Sequence, residues 1–270
     1  MVKLNKFQIV CLVFYLFVVA LWAWLFAIGL KEGFFNYLYS FLFGLTPLIG
    51  GLIAIYKSKM WGGLKSAVGK AVFFIGLGVF CWGFGEAIWS YYNFVLNVAA
   101  PYPSLADLGF APSIFFYGLG TLYLSKATGA KYGLRNKYAK LFVGVASILI
   151  SIFSYFLLIV FARGGILLPE GETSLKMILD IAYPLGDFFG LMIGVIVSGL
   201  SFKYFGGKFK LSIFAILLGL GTMYIADTIF SYTTTIGSYY NGNFGDLLLA
   251  TGTFLLTFGV LGFCELPKHE

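Results

Sequence analysis

The chain reads as eight long apolar runs separated by short polar segments: 7–30, 34–56, 71–95, 104–124, 141–162, 184–202, 211–236 and 244–264. At a rise of about 1.5 Å per residue, about 20 apolar residues cross the hydrocarbon core of a bilayer, and each run is close to that length. The pattern predicts an all-α, polytopic bundle of eight transmembrane helices. It forms one integral membrane domain over residues 1–270, with helical hairpins at about 7–56, 71–124, 141–202 and 211–264. The first six residues are short and basic, but the run that follows has spanning length. The expectation is therefore a retained first helix, not a cleaved leader.

Composition removes the soluble class, since 60% of the residues are hydrophobic and only 11% charged. Charge then sets orientation. Fifteen of the 18 Lys and Arg residues fall at one set of run ends, and Lys31, Arg163 and Lys176 at the other. The positive-inside rule puts both termini in the cytoplasm and the chain in the cell membrane. The net charge of +7 is thus a topology signal, with attraction to anionic membrane lipids as a by-product. No nucleic-acid partner is implied. Cys11, Cys81 and Cys264 all lie in apolar runs and read as small buried hydrophobes.

The acidic residues are the anomaly. Glu265 and Glu270 fall in the tail and Glu32, Glu170 and Glu172 in external loops, leaving Glu86, Asp107, Asp180, Asp187, Asp227 and Asp246. Glu86 lies roughly 22 Å along the third helix and Asp227 roughly 24 Å along the seventh. Asp107 and Asp187 come three residues, and Asp246 two, after the start of a descending run. These five acids should converge on one depth near the outer surface. Asp180 is assigned to an inserted external segment, 162–182, read as a loop plus a short interfacial helix outside the span.

Internal repetition supports that depth. "EAIWSY" at 86–91 lines up with "DTIFSY" at 227–232, and "ISIFSY" at 150–155 ends alike. Each copy is followed by a small residue and an aspartate: "LAD" at Asp107, "LGD" at Asp187 and "FGD" at Asp246. Glu86, Ser90, Asn93 and Asn97 share one helical face, as do Asp227, Ser231, Thr234 and Ser238. Polar groups facing lipid are costly, so these faces should point into the bundle.

A capping explanation competes for three of the acids. Ser104 precedes Asp107 and Asn243 precedes Asp246 at N-cap spacing, and Pro184 suits a first helical turn before Asp187. Glu86 and Asp227 sit far from helix starts, and no span supplies a Lys or Arg to pair with them. They are the primary candidates for ligand binding, with Ser90, Asn93, Ser231, Tyr91 and Tyr232 beside them. Tyr91, Tyr92, Tyr102, Tyr183, Tyr232, Tyr239 and Tyr240 also suit an interfacial aromatic belt. The glycine series 186, 190, 194 and 245, 252, 259 suits close helix packing.

His269, the single histidine, is in the tail, which removes a histidine-ligated haem, a His-containing zinc site and a Ser-His-Asp triad from the membrane. No P-loop or dinucleotide fingerprint is present. No cofactor and no enzymatic activity are expected. "PYPSLAD" and "AYPLGD", recurring at hairpin turns between about 84 and 263, resemble the polytopic membrane input regions found ahead of diguanylate cyclase (GGDEF and EAL) domains in bacterial signalling proteins. The resemblance implies an input module that senses something at the outer face, with Asp107 and Asp187 on the matching positions. Residues and resemblance together point to a membrane sensor with an acidic, aromatic pocket for a cationic or amphiphilic small ligand. Its output would pass to a membrane or cytoplasmic signalling partner. A cation or small-molecule transporter is the rival reading, and a structural assembly subunit the third.

Overall fold

The computed structural model describes residues 4–127, 137–166, 173–201 and 209–265. Among them there is no strand. The helices are α1 (Lys6–Ala27), α2 (Phe34–Lys57), α3 (Ala67–Phe94), α4 (Asp107–Ala127), α5 (Lys137–Tyr155), α6 (Ser174–Ser201), α7 (Lys210–Thr235) and α8 (Phe244–Leu261). A π-helical turn, Phe156–Phe161, prolongs α5. All eight segments are long and apolar enough to cross a membrane.

Local chemistry explains several helix starts. Asn5 and Gln8 form a reciprocal capping box at α1, and both amides reach across to carbonyls of α8, at Leu261 (2.8 Å) and Phe258 (3.2 Å). Ser66 caps α3 through Gly69 N–H, and Asn243 caps α8 through Asp246 N–H. Ser104 Oγ accepts from Ala106 N–H while the Asp107 carboxylate accepts from Ser104 N–H at 2.7 Å, closing the turn that starts α4.

The sixth helix departs from expectation. It begins at Ser174, so Pro184 lies inside it, Asp187 is mid-helix, and among the described residues no separate interfacial helix precedes it. Asp180 falls within this candidate span, not before it, and is fully buried in the helix's second turn. The charges that marked this stretch as loop neutralise one another. Asp180 pairs with Arg163, which is also buried, and with Lys176 one turn earlier at 2.9 Å. A proline in a membrane helix is tolerated because neighbouring groups replace the lost hydrogen bond. The loop part of the insertion, residues 167–172, lies outside the described residues. So do Lys3, Lys131, Arg135, Lys203, Lys208, Lys268, His269 and Glu270.

Helices α2, α3 and α4 pack in sequence along their lengths, α7 packs as extensively on α8, and α6 bridges α4 and α7. α8 is the most enclosed helix, while α1 and α5 are peripheral. In lipid, apolar burial gives helices little reason to associate, so close van der Waals contact carries more of the load. At the α3–α4 crossing a Cβ on Gly109 would lie 2.4 Å from the backbone nitrogen of Gly85, so only glycine permits the approach. The lysine-rich half is filled by Ile75, Val79, Ile216, Leu220, Leu256 and Val260. Its buried threonines, Thr121, Thr253 and Thr257, donate to carbonyls one turn back in their own helices. The opposite end, beneath the α3–α4 and α7–α8 connections, holds the acids.

An acidic, aromatic cavity as candidate functional site

Four carboxyls from four helices line one cavity: Glu86 of α3, Asp107 of α4, Asp227 of α7 and Asp246 of α8. Among the described residues, no Lys or Arg side chain lines it. The space open to the centres of water-sized molecules is about 40 Å³, enough for about three waters. Trp82, Trp89, Phe110, Phe230, Tyr102 and Tyr239 supply aromatic walls.

Helices α3 and α7 present their acids in the same phase. Trp82, Glu86 and Trp89 face the cavity from α3, and Met223, Asp227 and Phe230 from α7. In each case the acid is flanked by large side chains one turn before and one turn after, on a single helical face. The polar stripe that extends from Glu86 through Ser90 and Asn93 drifts off this face. Ser90 and Ser231 are buried beside the cavity without lining it, and their hydroxyls have no hydrogen-bond partner among the described residues.

Each acid has its own surroundings. Glu86 receives a hydrogen bond from Ser40 of α2 at 2.5 Å. Its side chain crosses Gly44, where a Cβ would fall 2.3 Å from the Glu86 Cγ. Asp246 accepts from Gly242 N–H at 2.7 Å and from the Tyr239 hydroxyl at 3.1 Å. Burial and the neighbouring Asp246 charge push the Tyr239 phenol well above its usual range, so it keeps its proton and donates. Asp107 accepts from the Tyr183 hydroxyl. Tyr102 donates to Asp180 at 2.7 Å, and burial beside that carboxylate likewise holds its phenol protonated. Asp227 faces Asp187, and among the described residues no other side chain or backbone group hydrogen-bonds the two buried Asp187 oxygens; the group Asp187 meets is another acid.

Above the cavity, Asn241 binds the connections together. It accepts from Trp89 Nε1 at 2.9 Å, donates to Ala99 O at 2.6 Å and offers its own carbonyl to Asn36 at 2.8 Å. Rings of Trp89, Phe230 and Tyr239 pack edge to face around it, with centroids 5.1 to 6.1 Å apart.

The sequence-predicted residues thus separate into three groups. Glu86, Asp107, Asp227 and Asp246 line the cavity, and Asp187 abuts it through Asp227. Ser90 and Ser231 lie behind it. Asn93, Tyr91 and Tyr232 are not part of it. Asn93 closes the end of α3 by donating to Val98 O and Ala99 O. Tyr91 is 53% exposed on the outside of the bundle, and Tyr232 is half-buried away from the lining. Ser40, Tyr183 and Tyr239 were missed as site residues. Tyr183 carried a signal, its place in "AYPLGD" one turn from an acid, but nothing local distinguishes Ser40.

No protein-family model, curated protein or solved structure matches this chain. What the cavity can do follows from its own groups. Among the described residues, no three acids converge closely enough to ligate one metal ion. The carboxyls stand apart around a shared space with aromatic faces between them, a geometry suited to a compact cation carrying its own N–H donors. Carboxylates accept those hydrogen bonds strongly, and aromatic rings attract the positive charge, more so away from water.

Proposed function

We propose that this chain is a membrane-embedded binding module that takes up a small ammonium-type cation in the acidic cavity and acts as the sensing part of a signalling system. The observation that carries the proposal is the lining of one confined space by four carboxyls from different helices with no basic side chain among them. Acids without a cation partner in such a place must take up protons or recruit a cation. The resemblance of "PYPSLAD" and "AYPLGD" to signalling input regions supports the sensor role. The distribution of lysines supports both termini in the cytoplasm and the cavity facing outward. The apolar filling of the lysine-rich half favours a one-sided pocket over a through-route, and so a sensor over a transporter.

The test is thermal stability of the purified protein across pH with methylammonium, sodium or magnesium chloride, on wild type and on Glu86→Gln combined with Asp227→Asn. Methylammonium should stabilise the wild type, less so as pH falls because protons compete, and leave the double variant unmoved. If no cation shifts the wild type, or the double variant responds equally, the acids are structural. Orientation is tested separately by labelling Lys59→Cys and Ser238→Cys, both exposed positions, from the outside of intact cells in a cysteine-free background. Only Ser238→Cys should react.

A further inference from the structure

The peripheral position of α1 leaves a second space, far from the acids. Among the described helices α1 packs mainly on α2 and α8, and at the lysine-rich end the three helices leave a groove of about 360 Å³. Its walls are apolar, with Val10 and Phe14 from α1, Ile49 and Ile53 from α2 and Leu261 from α8, while Lys6 stands at its mouth. The one threonine it takes from α8, Thr257, has its hydroxyl committed to Thr253 O at 2.6 Å. From Lys6 to Phe14 the groove runs about 12 Å along α1, most of the roughly 15 Å depth of one leaflet's hydrocarbon.

Charge gathers at the open end of this groove. The Lys6 and Lys57 ammoniums approach the same ring, that of Phe7, at 5.2 and 5.9 Å from its centroid. Neither makes an ion pair with a carboxylate among the described residues. Two cations held beside one aromatic ring repel each other unless an anion sits between them. An acyl-length apolar slot closed by two such lysines matches one molecule in its surroundings: an anionic glycerophospholipid with its phosphate at the mouth and one chain in the slot.

We infer that the α1–α2–α8 groove is a specific site for an anionic phospholipid, with Lys6 and Lys57 holding the phosphate and Val10, Phe14, Ile49 and Ile53 holding one acyl chain. The site owes nothing to the acidic cavity and stands or falls without it. The lipid chain completes the packing between α1 and its neighbours, beside the hydrogen bonds that Asn5 and Gln8 make to α8.

Native mass spectrometry of the delipidated protein, titrated with phosphatidylglycerol or phosphatidylcholine of identical chains, tests the inference. Wild type should retain one phosphatidylglycerol at least about tenfold more tightly than phosphatidylcholine. Lys6→Gln with Lys57→Gln should erase that preference while leaving phosphatidylcholine binding as it was. Val10→Trp, at a surface position that faces into the groove, should lower retention of both lipids by filling the slot. Equal binding of the two lipids by wild type overturns the inference without recourse to any variant. Undiminished phosphatidylglycerol preference in the double lysine variant overturns it too, as does a stable dimer that resists both lipids because a second copy occupies the groove.

Discussion

The Glu86 corner and the Asp227 corner of the cavity share a motif, a helical phase and a depth, yet their acids are placed in opposite circumstances. Glu86 meets a donor, Ser40, and is pressed against the bare backbone of Gly44. Asp227 meets another acid, Asp187, which has no other hydrogen-bond partner among the described residues. The two acids occupy matching positions on their helices, and the neighbouring helix determines what each can do there. α2 supplies a hydroxyl that satisfies its acid, while α6 supplies a second carboxyl that leaves the pair wanting a proton or a cation. The ammonium is therefore expected to sit nearer Asp227 and Asp187, with Glu86 as a fixed outer wall.

Replacing Asp227 by Asn should produce the largest change. At a methylammonium concentration of 100 times Kd the ligand stabilises wild type by about 2.7 kcal/mol, and this increment should vanish in the variant. Asp187→Asn sharpens the point, because its amide can donate to Asp227. The ligand-free protein should melt higher than wild type while its response to methylammonium falls. If Asp187→Asn responds as wild type does, the two corners are not distinguished in this way. Next in size is Gly44→Ala, which thrusts a methyl into the Glu86 side chain and should cost about 2 kcal/mol by thermal or denaturant unfolding. Ser40→Ala, which leaves Glu86 without its donor, should cost about 1.5 kcal/mol and preserve methylammonium binding. Loss of that binding would move the ligand to the other corner. Tyr239→Phe removes one of the donors to Asp246 and should cost about 1 kcal/mol. Tyr91→Phe, on the exposed outer surface, should change stability by less than about 0.5 kcal/mol and leave ligand response untouched.

Much of the architecture was legible in the apolar runs, because a bilayer imposes one length on every span. α2, α7 and α8 begin within a residue of where the runs begin. α6 was misjudged because Lys176 and Asp180 read as loop residues and Pro184 as a helix start. Their neutralisation depends on Arg163, which arrives from a different helix and has no local signature. The same limit applies within the site. Helical periodicity brought Glu86 and Asp227 into consideration, but it could not decide between the face running through Trp89 and the face running through Ser90. That choice is made by packing against α4, α7 and α8. Tyr91 and Tyr239 look alike in sequence, and only the fold sends one to the outside and the other to Asp246.

The Asn241 side chain has a consequence for how the cavity opens. Through it, the α3–α4 connection, the α7–α8 connection and the head of α2 share one set of hydrogen bonds. These segments cannot loosen one at a time without stranding a buried amide. Amide hydrogen exchange over the three should report a single cooperative unit with a common opening rate. A small molecule held in the cavity would then leave on that clock, at the rate at which the three segments open together.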